Sequence, residues 1–179
     1  MSIAHKIIPH YTYDDWVHWE GVWELIEGHP IAMSPTPIPY HQRVASEIRY
    51  SLMEAIKKQN CKHCRAYDPL DYKIANDTIL VPDILIICGE VKKKFLDFAP
   101  TLVVEILSPA TALRDRHTKY QLYEQQGVKY YLIVDADKRI IEVFALIGNE
   151  YSSQTYNEFY TFTLMNECTI TPDFSNIFN

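Results

Sequence analysis

The sequence predicts one mixed α/β domain, a β-sheet core with a helix before it and a helix after it, preceded by a short helix and a β-hairpin. Three observations carry this. The 179 residues suffice for one well-packed domain and are few for two, and neither an internal repeat nor a linker divides residues 1–179. Between residues 40 and 59, Val44, Ile48, Leu52, Ala55 and Ile56 form one apolar stripe at helical spacing, with polar residues on the other side. From residue 65 onward, runs of β-branched and large apolar residues alternate with turn signals.

Taken in order, Thr12 followed by Tyr-Asp-Asp-Trp reads as an N-cap and acidic first turn, so a short helix is expected over 13–19. Residues 22–26 and 31–33 flank Glu-Gly-His-Pro, which predicts a hairpin turning at Gly28. The Pro-punctuated segment 34–39 is expected to be extended. After the helix over 40–59, segments 65–74 and 78–88 read as two strands joined by a turn at Asn76-Asp77. A charged loop over 92–99 leads to a strand over 101–107. Ser108-Pro109 then matches an N-cap with Pro at the first helical position, and Gly127 is a natural stop. The inner face of that helix is expected to carry Leu113, Tyr120 and Tyr123. Strands over 129–135 and 140–146 follow, with a turn at Asp137-Lys138, and the Tyr/Phe/Thr-rich stretch 151–170 is β-like.

Composition narrows the function classes. Hydrophobic residues make up 47% and charged residues 22%, ordinary for a soluble globular protein. No run is long enough to span a bilayer, and the N-terminus lacks the features of a secretory signal, so the expected location is the cytoplasm, with no membrane partner. A net charge of −6 speaks against strong non-specific nucleic-acid binding. It leaves room for local basic patches, such as Lys92–Lys94 or the group Lys57, Lys58, Lys62 and Arg65. Cys61 and Cys64 form a CxxC, but Cys88 and Cys168 stand alone. The expectation is therefore reduced thiols, with neither a disulfide framework nor a zinc site.

The informative interruptions are acidic. Glu105 sits in Thr-Leu-Val-Val-Glu-Ile-Leu, which otherwise reads as a strand buried on both faces, where a carboxylate is costly unless something positive meets it. Asp83 follows Val81-Pro82 at the start of another apolar strand, and a proline there marks a strand edge, bulge or start. Two carboxylates on adjacent buried strands do not both stay ionised without a cation between them. Oxygen ligands alone suit Mg²⁺ or Mn²⁺. The following helix carries Arg114, Asp115, Arg116 and Lys119. Lys119 falls about 70° from the centre of the apolar stripe at 100° per residue, so its stem can reach back over the sheet end. Metal-bound carboxylates with one lysine are the minimum apparatus for phosphodiester hydrolysis. A structural reading competes: Asp115 and Lys119 form an i, i+4 pair common on helix surfaces, and Glu105 could be a structural carboxylate paired with Arg114.

A set of motifs in fixed order favours the first reading: Trp23-Glu-Leu-Ile-Glu-Gly28, Met33-Ser-Pro35, His41-Gln42, Val81-Pro-Asp83, Leu102-Val-Val-Glu-Ile-Leu-Ser-Pro109, Asp115-Arg116, Lys119, Tyr123, Gly127-Val128 and Tyr131-Leu-Ile-Val-Asp135. Together, over about residues 12–146, they resemble the Uma2 family of restriction-endonuclease-like proteins, abundant in cyanobacteria. That family is similar in fold to the PD-(D/E)XK nucleases. The resemblance implies a restriction-endonuclease-like mixed sheet flanked by helices, and a Mg²⁺- or Mn²⁺-dependent endonuclease acting on DNA. Asp83 would be the acid of the PD element and Glu105 the second acid, both holding metal. Glu105-Ile106-Leu107 stands where many such nucleases have acid-x-Lys, and the resemblance implies that Lys119 supplies the displaced lysine. A homodimer is expected, because duplex cutting needs two active sites. The alternative is a catalytically silent module on the same fold that binds DNA or a protein partner. His41, Gln42, Glu24 and Glu27 are further candidates for a place in or near the site.

Overall fold

The computed structural model describes residues 8–33, 38–155, 160–166 and 168–179. The sequence-predicted loop over 34–39 thus lies outside the described residues except for Ile38 and Pro39. Three sheets and a small number of helices form the fold. A short helix α1 (Tyr13–Trp16) leads into the hairpin β1 (Trp23–Ile26) and β2 (His29–Ala32). The hairpin closes through Glu27 and Gly28, both at positive φ (49° and 75°), between the paired residues Ile26 and His29. This two-residue turn matches the right-handed twist of the strands it joins. The positive φ of Gly28 favours glycine there, and the His10 ring packs where a Cβ would stand.

Helix α2 (Pro39–Lys58) follows, with Pro in its first turn and its stripe of Val44, Ile48, Leu52, Ala55 and Ile56 buried as the spacing predicts. The two long strands expected next are each broken in two. The first becomes β3 (Cys64–Tyr67) and β4 (Tyr72–Ala75), separated at Asp68-Pro69. The second becomes β5 (Thr78–Leu80) and β6 (Ile84–Cys88), separated at Val81-Pro82-Asp83. Each proline removes a ladder donor, and at each break the chain passes between sheets. The small sheet has the order β2-β1-β5-β4. The large sheet, completed by β7 (Leu102–Ile106), β8 (Tyr130–Asp135), β9 (Ile140–Ile147) and β10 (Glu150–Thr155), has the order β10-β9-β8-β7-β6-β3. Within it only β7 and β8 run parallel. The hairpin β11 (Phe162–Met165) and β12 (Cys168–Ile170) accounts for the β-like character of the last segment.

Strand alternation sorts the core into two layers. Ile84, Ile86, Leu102, Val104, Ile106, Leu132 and Val134 face α2 and the β11–β12 hairpin. Leu85, Ile87, Val103, Leu107, Tyr131 and Ile133 face the small sheet and the helical segment after β7. Asp83 and Glu105 belong by the same alternation to the second face. That helical segment is not the continuous α-helix that Ser108-Pro109 predicts. Ser108 and Thr111 close a turn, with the Ala112 N–H bonded to Ser108 O at 2.9 Å, and α3 (Ala112–Arg114) begins only there. A π-helical turn over Asp115–Lys119 and then α4 (Tyr120–Gln125) complete it. The shifted phase leaves Leu113 75% exposed, contrary to expectation, while Tyr123 is fully buried.

The cysteines also depart from expectation. Cys64 and Cys88 are direct cross-strand partners of β3 and β6 and form a disulfide, and Cys61 is bonded to Cys168 on β12. The sequence separations of 24 and 107 residues hide both pairings from a reading of local spacing. Among the described residues no helix is long and apolar enough to cross a membrane.

Truncating Leu132, fully buried in the middle of the large sheet, is expected to cost about 2–5 kcal/mol as Leu132→Ala, whereas Leu113→Ala should change stability by no more than about 0.5 kcal/mol. Urea denaturation of the two variants checks this; equal losses would place Leu113 back in the core.

Candidate active site

The break at Pro82 creates the site. Carrying the β6–β7 register (Ile84 opposite Val104) one step further sets Asp83 opposite Glu105. There the ladder has ended, and the Asp83 carboxylate takes its place: the Ile106 N–H donates to Oδ2 at 2.8 Å. From the small sheet, Glu24 reaches the same crossover and accepts the Val81 N–H on Oε1 at 3.0 Å. Acids from β1, from the break before β6 and from β7 thereby meet over one end of the large sheet.

Lys119 enters from the π-helical turn and is 1% exposed. Its Nζ lies 2.7 Å from Glu24 Oε1, 2.8 Å from Glu105 Oε1 and 3.5 Å from Asp115 Oδ1. The wide turn presents both Asp115 and Lys119 inward, so the surface-pair reading of these two residues does not hold. Nor does Arg114 pair with Glu105: its Nε lies 3.3 Å from Glu24 Oε2 instead. Tyr123 donates its hydroxyl to Glu105 Oε1 at 2.7 Å, and Tyr131 donates to the Asp115 carbonyl at 2.9 Å. Arg116 turns outward to a paired carboxylate, Glu142 on β9, with Nη1 3.0 Å from Oε2.

All three sequence-predicted residues, Asp83, Glu105 and Lys119, thus come together. Glu24 is the member that the sequence left undecided, and it is as deeply buried as Lys119. Its only sequence signal is the one that exposed Glu105, a lone acid among apolar strand neighbours. Glu27 is excluded, because it forms the exposed hairpin turn and donates its N–H to Thr78 Oγ1. Gln42 is exposed, and His41 is buried at the start of α2, which packs on the opposite face of the large sheet.

The electrostatics are unbalanced. Glu24, Asp83, Glu105 and Asp115 carry four potential negative charges, against the positive charges of Lys119 and Arg114. Burial pushes the Glu105 carboxyl well above the usual carboxylate range; Lys119 opposes this, and Asp115, Asp83 and Glu24 add to it. Burial raises Asp83 as well, against the Ile106 N–H bond and the Lys119 charge. For Lys119, burial works against the ammonium, but Glu105, Glu24 and Asp115 outweigh it and the group is raised.

With all four cysteines paired in disulfides, no group of three or more His, Cys, Asp or Glu side chains among the described residues could hold a metal ion. The fit to a hard dication therefore rests on the Asp83–Glu105 pair. Asp83 Oδ1 and Glu105 Oε2 have no hydrogen bond among the described residues, since the bonds go to Oδ2 and Oε1. One or two carboxylates, with waters and substrate phosphates, are the usual donors to Mg²⁺. The residues present fit that ion.

A family model described as "Putative restriction endonuclease", Uma2, matches residues 11–171. The chain belongs to the Uma2 family. Among solved structures, the fold is similar to the crystal structure of a putative nuclease of DUF820 from Anabaena variabilis ATCC 29413. The TM-score is 0.70 at 21% identity, covering 88% of this chain and 91% of that one. No curated protein matches. The Uma2 match and the shared fold agree with the restriction-endonuclease-like architecture that the sequence motifs imply.

The raised acids set a pH dependence. A carboxyl raised in the folded state contributes stability that is full below its unfolded pKa, about 3.9 for Asp and 4.3 for Glu, and is lost as pH rises through the folded value. Lys119, raised above its ordinary value of about 10.4, contributes a constant amount below that pH. The metal-free protein should therefore lose stability as pH rises above the ordinary carboxylate range, and Glu105→Gln should flatten that slope. Denaturant melts at increasing pH test it; an identical slope in Glu105→Gln would show that Glu105 is ionised throughout.

Proposed function

We propose that this Uma2 protein is a metal-dependent endonuclease of the PD-(D/E)XK type that hydrolyses phosphodiester bonds in DNA. The observation that carries the reading is the charge imbalance. Four carboxyls face only Lys119 and Arg114; without metal, burial favours the protonated forms of Asp83 and Glu105, and a divalent cation there would replace protons as the compensating charge. When bound, Mg²⁺ or Mn²⁺ polarises a phosphoryl oxygen and makes a bound water acidic. The chain's own residues supply the rest. Asp83 is held by the Ile106 N–H on Oδ2, so its carboxylate is already ordered before a cation binds. Tyr123 and Lys119 share Glu105 Oε1 and thereby leave Oε2 for the cation. Lys119 makes two short contacts, and its approach to Asp115 at 3.5 Å is longer than a normal hydrogen bond. The third proton is therefore the one free to turn to a water or phosphoryl oxygen where charge gathers. Since a duplex cut needs two such centres, the reading includes a homodimer, acting on DNA in the cytoplasm.

A second reading has one observation in its favour. Lys119 and Glu105 are 1% and 2% exposed, so the ion-pair network can also serve as the core of a catalytically silent module that binds DNA or a protein partner.

Plasmid nicking with Mg²⁺ and with Mn²⁺ separates the two. Asp83→Asn, Glu105→Gln and Lys119→Ala are each expected to lower turnover by on the order of 10²–10³, with metal-induced thermal stabilisation lost in the first two and largely retained in the third. Lys119→Arg should also fail, because a planar guanidinium does not fit a site built around a compact ammonium. Cleavage by all four variants at the wild-type rate would remove the site from catalysis, and DNA retention without any cleavage by wild type would establish the silent module.

A further inference from the structure

The four cysteines converge from four elements far from the acidic cluster. Cys61 lies in the turn after α2, Cys64 opens β3, Cys88 ends β6 and Cys168 opens β12. The Cys61–Cys168 and Cys64–Cys88 disulfides lie against each other, with Cys168 Sγ 3.9 Å from Cys64 Sγ. A tetrahedral zinc with Zn–S bonds of about 2.3 Å has sulfur–sulfur edges of about 3.8 Å. The separation between the disulfides is thus already that of two ligands on one zinc.

We propose that in its reduced form the protein holds a structural zinc ion on Cys61, Cys64, Cys88 and Cys168. The local chain is built for it. Cys61-Lys-His-Cys64 is a CxxC closed by the Cys64 N–H bonded to Cys61 O at 3.1 Å, the paired spacing that structural zinc sites use. Cys88 and Cys168 supply the second pair, which is separated by 80 positions in sequence and joined only by the fold. Cys61, Cys64 and Cys168 are buried, which protects a zinc–thiolate centre from water. An open surface depression that Cys61, Lys62, His63 and Cys168 help to line lies over the cysteines. The exposed Lys57, Lys58, Lys62 and Arg65 flank the ligand turn and offset the double negative charge of a zinc tetrathiolate. All-thiolate donors select a soft or borderline ion, whereas the oxygen donors of Asp83 and Glu105 suit a hard one, so the two places take different metals.

Conversion needs a dithiol reductant. Two dithiols each break one protein disulfide by exchange and leave as cyclic disulfides, giving four protein thiols. Zn²⁺ then binds four thiolates and releases four protons. The zinc replaces the two sulfur–sulfur bonds as the tie that fastens α2, the β3–β6 edge and the β11–β12 hairpin.

The full-length chain, purified anaerobically with a dithiol reductant from zinc-supplemented cells and without chelator, should carry stoichiometric zinc by mass spectrometry. Its cysteines should resist maleimide until a chelator is added. Exchange into Co²⁺ should give the intense visible bands of tetrahedral thiolate coordination, a readout on the wild type that no unfolded variant can confuse. Cys88→Ser and Cys168→Ser should lose the zinc, while Asp83→Asn and Glu105→Gln should keep it, so this result stands apart from the nuclease reading. Reduced protein with four maleimide-reactive cysteines and no zinc would overturn the proposal. So would disulfides that persist under the reductant, or zinc retained by both serine variants.

Discussion

One ammonium, buried among three carboxylates, is the interaction on which the rest of this structure depends. Lys119 joins β1, β7 and its own helical turn through Glu24, Glu105 and Asp115, each contributed by a different part of the chain or by the turn itself. Removing the ammonium would leave buried carboxylates facing one another without it, which costs more than any one pair is stabilising. The small sheet therefore docks on the large one through a charge network as well as through the apolar contacts of Ile26, Tyr72 and Leu80 with Leu85 and Val103. A purely apolar seam would tolerate sliding. A hydrogen-bonded charge network favours one arrangement, and it fixes where the acids sit.

The π-helical turn is how the chain delivers that lysine. An α-helical phase places Lys119 on the flank of the helix, about 70° from its apolar centre. Widening the turn over Asp115–Lys119 brings both residues to the interior and moves Leu113 outward. The turn interrupts the regular hydrogen bonding of the helix, and such turns concentrate at functional sites because the gain is a side-chain direction unavailable to a regular helix. Tyr131 compensates locally by donating to the Asp115 carbonyl from β8.

This explains what the sequence disclosed and what it concealed. The convergence of Asp83 and Glu105 was legible because an acid in an apolar strand contradicts its surroundings. Helix α2 and the hairpin at Glu27-Gly28 were legible because spacing and turn chemistry are local properties. The depth of Lys119 was not, since no periodicity announces a π turn. Arg114 belonged to Glu24 instead of Glu105 for the same reason: its direction depends on the phase of the helix. The splitting of two long apolar runs between two sheets was signalled only by Pro69 and Pro82, and the sequence does not state to which sheet each half goes. The cysteine pairings were the furthest from view, because Cys168 meets Cys61 only after α2 and the last hairpin have packed on the same face.

Pro82 links fold and site most directly. It cannot donate to a ladder, so the strand that would otherwise continue from β5 into β6 must end and change sheets. That change leaves the Ile106 N–H at the end of β7 without a main-chain partner, and the Asp83 carboxylate meets it. It also leaves the Val81 N–H to be met by Glu24. Two acids are thus recruited by the backbone donors that one proline exposes, before any ligand is considered. That structural duty uses Oδ2 of Asp83 and Oε1 of Glu24. The same break in the sheet that makes the carboxylates necessary for the fold also sets Asp83 opposite Glu105.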